Sequence, residues 1–264
     1  MSDVPQRRRL LDRLFDLERT KRRVHASLDA LVQVPFRLYT RDPRYRGYLT
    51  PACYSPWNVD DAFRSVFERV EDFTLMDRYK AYGLWQLVAQ VTPLEGALLE
   101  VGVWRGGSGA LIASRAASCG IESPVFLCDT FQGVVKAGAR DAHYRGGEHA
   151  DTSEATVSKL LTDLGLVHAE VVPGVFPDES GADLAGECFR FCHVDVDTYD
   201  SASGILEWLW PRLSPGGVVV YDDYGFPRCD GIREHVNEQM DLPDRLVIHN
   251  LTGQAIVVKR GRPA

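Results

Sequence analysis

Two short stretches carry the residues best suited to chemistry: HVDVD (His193 to Asp197) and VVVYDDYG (Val218 to Gly225). Each is an apolar run that ends in carboxylates. β-Branched runs bounded by turn residues read as buried strands of a parallel sheet. Ligands of open α/β sheets bind at the carboxyl ends of such strands. Between them, SASGILEWLWPRLSPGG reads as a helix closed by a Pro-Gly-Gly turn, so the pair forms one βαβ unit. Adjacent strands lie about 4.8 Å apart, which lets Asp195, Asp222 and Asp223 converge on one point. Three carboxylates without a cation repel and raise one another's pKa. A hard divalent ion resolves that, and all-oxygen ligation suits Mg2+, Ca2+ or Mn2+. The plainer alternative is that these acids are solvated strand ends or helix caps.

A second constellation lies upstream in LLEVGVWRGGSG (98–109), an apolar strand, a glycine turn and the start of a helix. Gly102, Gly106 and Gly107 let backbone approach a ligand closely. Their spacing is not GxGxxG, so the dinucleotide fingerprint is absent. Glu100 sits inside this strand and Asp129 ends the next one, VFLCD. Acids at both places suit a ligand with ribose hydroxyls and positive charge better than a pyrophosphate. S-adenosylmethionine is such a ligand: Asp129 would accept from the ribose diol, and Gly102 would leave room for the methionine part.

The elements that must position these groups follow a strand–helix grammar from Leu98 onward. VFLCD (125–129), EVVPGVF and the two acidic runs read as strands. EATVSKLLTDLG and DGIREHVNEQM read as helices, and RLVIHN with QAIVVK as a closing hairpin. The pattern implies a doubly wound α/β sheet, mostly parallel, with an antiparallel last strand. A polar insert (132–152) places His143 and His149 around a Gly-Gly pair that could hinge a lid. Upstream, residues 72–91 read as a helix with Thr74 as N-cap, preceded by a short helix near Asp60 to Val70. Residues 33–72 otherwise read as an irregular connection. Residues 6–32 form a heptad-like amphipathic stripe through Leu10, Leu14, Leu17, Val24, Leu28 and Leu31 on an arginine-rich helix. Such a helix packs on the body, zips to a second subunit or touches an acidic partner. The expected division is 1–72, a helical arm and connection, and 73–264, the catalytic domain.

EVGVWRGGSG, DTFQG, HVDVDTY and VVYDDYG together resemble the macrocin O-methyltransferase family, class I S-adenosylmethionine-dependent enzymes that methylate sugar hydroxyls. The resemblance covers roughly residues 72–260. It implies a Rossmann-like, seven-stranded class I methyltransferase sheet, Mg2+ and a homo-oligomer, with a dimer favoured. Metal ligands carry over onto Asp195, Asp222 and Asp223. Cofactor contacts carry over onto Glu100, Gly102 and Asp129, and further onto Thr74 and Met76. Gly174 and Val175 would lie beside the adenine by class I analogy. The acid pattern also looks like that of catechol O-methyltransferases, which place a lysine three residues after the first metal aspartate; this chain has Thr198 there.

Methyl transfer needs oxygen, methyl carbon and sulfonium in line at about 3 Å, and a sugar hydroxyl needs help from a metal and a base. Asp197, two residues beyond Asp195, would point to the same side on a regular strand, and the resemblance favours it as base. His149, titrating in the right range, is the second candidate and His143 the third. His193 reads as satisfying a buried hydrogen bond, and Tyr199 and Tyr224 as lining the acceptor pocket. Rival readings are a phenol or catechol acceptor, or a cofactor-binding scaffold without turnover.

Composition narrows the classes. A net charge of −7 over 264 residues argues against a nucleic-acid binder, and no NPPY-type motif is present. No apolar run approaches the ~20 residues that span a bilayer, and no signal-peptide pattern follows the N-terminal arginines. Six scattered cysteines read as free thiols of a cytoplasmic protein.

Overall fold

The computed structural model describes residues 53–261 continuously and, before them, a few isolated positions between 28 and 47. The amphipathic helix expected over 6–32 therefore lies almost wholly outside the described residues. The chain divides into a unit of residues 1–55 and a unit of residues 56–264. In the first, Arg44 pairs with Asp42 at 2.6 Å.

The second unit is built on seven strands: β1 (Ala97–Val101), β2 (Val125–Asp129), β3 (Ala169–Pro173), β4 (Phe189–Val194), β5 (Leu213–Tyr221), β6 (Arg245–His249) and β7 (Ala255–Lys259). They are ordered β3-β2-β1-β4-β5-β7-β6. β1 to β5 pair in parallel, and β7 runs antiparallel between β5 and β6. The helices are α1 (Asp61–Val70), α2 (Arg78–Gln90), α3 (Gly107–Ser118), α4 (Glu154–Leu164), α5 (Tyr199–Leu209) and α6 (Asp230–Glu238).

Alternation along the strands feeds two cores. Leu98, Phe191, Val218 and Val220 face one core with α1, α2, α3 and α4. Leu99, Val101, Cys192, Val219 and Tyr221 face the other, with α5 and α6. A parallel sheet covered on both faces needs such continuous apolar strands. By the same period of two, Glu100, His193, Asp222 and Gln254 fall on the α2 face. That face carries a row of buried polar groups at its carboxyl end.

Three local expectations are corrected. Helix α2 begins at Arg78 rather than residue 72, and its N-cap is Asp77, whose carboxylate accepts from the amides of Tyr79 and Lys80. Thr74 instead spends its hydroxyl oxygen on the Met76 amide, a local turn that competes with helix. The Pro-Gly-Gly segment is not a closing turn but part of β5, where the register against β4 jumps from Phe189↔Leu213 to Phe191↔Val218. Finally, β4 ends at Val194, so the acids of HVDVD lie past the strand.

Candidate active site at the carboxyl rim of the sheet

The rim is set by three adjacent strands, β1, β4 and β5. Past β4 the backbone stays tied to β1 through the Asp195 amide on the Val101 carbonyl, 2.9 Å. Gly102 then passes directly beneath it: φ is +88°, and a Cβ there would lie 1.8 Å from the Asp195 carbonyl oxygen. No side chain fits in that gap, so the glycine turn and the first acid are in backbone contact. The Asp222 amide bonds Val194 in the same way, 3.0 Å, and carries Asp222 and Asp223 to the same place.

Carboxylate oxygens of Asp195, Asp222 and Asp223 lie within 4.8 Å of one another. Their surroundings differ. Asp222 is clamped: Oδ2 accepts from Lys80 Nζ at 2.6 Å and Oδ1 from Gln254 Nε2 at 2.9 Å, with His193 Nε2 at 3.5 Å, an ion-pair distance. Lys80 also donates to the Asp222 carbonyl at 2.9 Å, and its ammonium stands 4.2 Å from the centre of the Phe226 ring. His193 Nδ1 meets Glu100 Oε1 at 2.8 Å, so Glu100, His193, Asp222 and Lys80 form a buried row of alternating charge. Burial opposes charge on Asp222, but His193 and Lys80 outweigh it and hold this carboxyl well below the usual range. Burial would also discharge His193, yet Asp222 and Glu100 raise its pKa to about 10, and Lys80 is raised against its own burial by Asp222.

Asp195 and Asp223 lack such partners. Among the described residues the Asp195 carboxylate has no hydrogen bond, and Asp223 accepts only from the Asp197 amide at 3.3 Å. Burial and then the neighbouring aspartates push Asp195 up to about 8 and Asp223 well above its ordinary value. Two weakly committed carboxylates beside a fixed third are an oxygen donor set that fits a hard divalent cation.

Asp197 reaches the cluster by a different route from the one its spacing suggested. Strand alternation cannot aim it, because β4 has ended and Asp197 has a φ of 63°. The turn nevertheless places its carboxylate with Asp223 and Cys229. Tyr144 donates to Asp197 Oδ1 at 2.5 Å, and burial is the main cause of the raised Asp197 pKa. Tyr144 belongs to the insert, which Asp141 fastens to the start of α5 by accepting from the Tyr199 amide at 2.9 Å. Thr198 donates to the Val135 carbonyl of the same insert. In the insert Glu148 closes the Gly-Gly turn by accepting from the Arg145 and Gly146 amides. His143 and His149 are both exposed, although a charge on His149 bears on Asp197.

On the neighbouring side, Asp129 accepts from the amides of Val103 and Trp104 with Oδ2 and from Phe131 with Oδ1, at 2.7–2.8 Å. It therefore braces the glycine turn. Glu100 is fully buried, and its Oε2 has no partner among the described residues. Gly174 bonds the Asp129 carbonyl, and the Val175 amide donates to Glu179 Oε2. Met76 is buried in the α2-face core and Thr74 lies half-buried beside it. Tyr199 donates to Glu238 and Tyr224 to Asn237. Lys80, Tyr144, Gln254 and Cys229 are residues of this region that sequence reading passed over.

The sequence model of the macrocin O-methyltransferase family (TylF) matches residues 72–254, well over half of the chain. The chain belongs to the macrocin O-methyltransferase family. Mycinamicin III 3''-O-methyltransferase of Micromonospora griseorubida is 32% identical over 178 residues, 62% of this chain and 66% of that protein. A tetracenomycin-C 4'-O-methyltransferase of Streptomyces olivaceus, whose full name specifies a dimethoxy-rhamnosyl substrate, is 32% identical over 151 residues, 53% of this chain and 58% of that one. These matches span less than two thirds of the relatives' length. Among solved structures, the O-methyltransferase NovP superposes with a TM-score of 0.63 at 26% identity, covering 72% of this chain and 83% of its own. The family's fold, a mostly parallel seven-stranded sheet ending in antiparallel pairing, is the one seen here.

Proposed function

We propose that the protein is a Mg2+- and S-adenosylmethionine-dependent O-methyltransferase acting on a sugar hydroxyl of a glycoside, oligosaccharide or glycosylated natural product. The observation that carries the reading is the gathering of Asp195, Asp222 and Asp223 within 4.8 Å on the rim that Gly102 shares with Asp195. The name of the Streptomyces olivaceus relative specifies a rhamnosyl substrate, which supports the sugar acceptor. Thr198, used to hold the insert, stands where a catechol-type lysine would be, which disfavours a phenolic acceptor.

Bound at these places, the sulfonium would supply the methyl group and the divalent ion would make a nearby hydroxyl more acidic. The remaining work falls to the chain. Asp195, Asp222 and Asp223 would hold the ion, with Asp222 fixed in place by Lys80 and Gln254. Asp197 takes the proton from the acceptor hydroxyl, with exposed His149 as the second candidate. Glu100 offers its unpartnered Oε2 to the amino group of the donor. Gly102, whose missing Cβ makes way for the Asp195 carbonyl, would bring bare backbone alongside the methionine part, and Asp129, which keeps the turn in shape, would accept from the ribose diol. Thr74, Met76, Gly174 and Val175 complete the cofactor walls. The insert and Tyr144 keep water from Asp197.

The catalytic domain assigned to 73–264 takes in α1 as well, since Phe63, Phe67 and Val70 are buried in its core. We place the protein in the cytoplasm as a homodimer. Six unpaired cysteines suit a reducing compartment, and no helix among the described residues is long and apolar enough to cross a membrane.

Chelation is expected to abolish turnover of a glycoside acceptor with labelled cofactor. Asp195→Asn, at the acid with no hydrogen bond among the described residues, is expected to cost more than about 100-fold in kcat while binding of S-adenosylhomocysteine persists. Turnover that ignores the chelator would remove the metal from the mechanism.

A further inference from the structure

Lys80 has no part in binding donor or acceptor in the scheme above, yet it is the most completely buried lysine of the described chain and touches the acid cluster directly. Its side chain is 2% exposed. It rises from α2, on the same stripe as Leu84 and Val88, so sequence places it on a face that is otherwise apolar. Burying an ammonium is costly unless it is paired and hydrogen-bonded. Here it has two oxygens of Asp222 at 2.6 and 2.9 Å and the face of Phe226 at 4.2 Å. The Lys80 charge also acts on Asp195 and Asp223 beyond it.

We propose that Lys80 is a resident cation of the metal centre: it supplies positive charge to the three-aspartate cluster permanently, so that the folded chain survives without a divalent ion. The idea rests on the metal reading given above. An ion arriving at Asp195 and Asp223 meets a cluster already partly neutralised from the α2 side. Its affinity is therefore lower than three unscreened carboxylates would give, and its loss leaves the sheet rim intact. Lys80 acts through Asp222 and is a positioning residue, not one that touches the reacting atoms.

The two effects are thermodynamically linked. Whatever destabilises the metal-free fold more than the metal-bound fold must tighten metal binding by the same factor. Removing the charge should therefore make the protein more dependent on metal, whereas removing a mere orienting contact would loosen the ion.

The test uses the full-length protein as wild type, Lys80→Met, Lys80→Gln and Lys80→Arg. Thermal melts are recorded in EDTA and in Mg2+, and Mn2+ affinity is measured by electron paramagnetic resonance. In EDTA, Lys80→Met is expected to melt on the order of 10 °C below wild type. Mg2+ should raise its midpoint by several degrees more than it raises that of wild type, and Mn2+ should bind at least about tenfold tighter. Lys80→Gln, which keeps a donor without the charge, should follow Lys80→Met, and Lys80→Arg should behave as wild type. Equal Mg2+ responses in wild type and both neutral variants, or weaker Mn2+ binding in them, would overturn the proposal. So would neutral variants that stay unfolded in Mg2+, because packing would then be the role lost. A wild type that binds no Mn2+ would instead sink the metal reading, and this inference with it.

Discussion

His235 offers a clean measurement of how the second core tolerates charge. It sits on α6, 2% exposed, with Nε2 3.1 Å from the Tyr221 hydroxyl, the Tyr199 ring edge-on, and Nδ1 without a partner among the described residues. Burial lowers its pKa from 6.5 to about 4. The folded value lies below the unfolded one, so the unfolded chain binds the extra proton between these limits. The stabilising effect is therefore complete above about pH 6.5 and is lost as pH falls toward 4. Going from about pH 8 to pH 5 charges the unfolded histidine almost fully and the folded one hardly at all. By linkage this removes about 2 kcal/mol of stability, or roughly 4–8 °C in midpoint for a domain of this size. His235→Gln keeps a polar group near Tyr221 but cannot titrate. Urea unfolding of both proteins at the two pH values isolates the residue, since every other group titrates in both. Wild type should lose about 2 kcal/mol more than the variant on acidification. Equal losses would show that His235 is not held neutral, and the burial argument would fail.

Tyr144→Phe removes the hydroxyl from Asp197 and leaves the ring in place. It is expected to lower kcat roughly tenfold with little change in binding of S-adenosylhomocysteine; an unchanged kcat would mean that Tyr144 does not orient Asp197. Deleting residues 6–32 is expected to halve the mass seen by light scattering, and an unaltered mass would refute the arm as the dimer contact.

Much of the rim was legible because a parallel sheet forces it. Apolar runs announced β2, β4 and β5, and the acids at their ends could only fall on the side where strand passes to helix. The local details were less legible where short polar side chains compete for the same amides. Thr74 and Asp77 are both good caps, and only the turn at Met76 decides between them. Asp197 was reached by strand alternation that does not apply, since β4 stops three residues earlier and a positive φ does the aiming. Tyr144 and Lys80 were invisible to spacing, because they lie 53 and 142 residues from the acids they touch. One signal for Lys80 was present: a lysine in line with Leu84 and Val88 on an apolar helix face has to find an anion. The second member of that pair, however, is fixed only by the fold.

The contact between Gly102 and the Asp195 carbonyl reaches beyond local packing. Because the two chain segments touch and are stitched by the Val101–Asp195 bond, the glycine turn and the acid cluster share one piece of backbone. Neither can slide, swell or tilt alone. On the proposed reading, this backbone contact sets the gap between donor and ion, so a bulkier acceptor would not be admitted by widening it. On that reading, room for a different acceptor would have to come from elsewhere, such as the 132–152 insert that Tyr144, Thr198 and Asp141 tie to the rim.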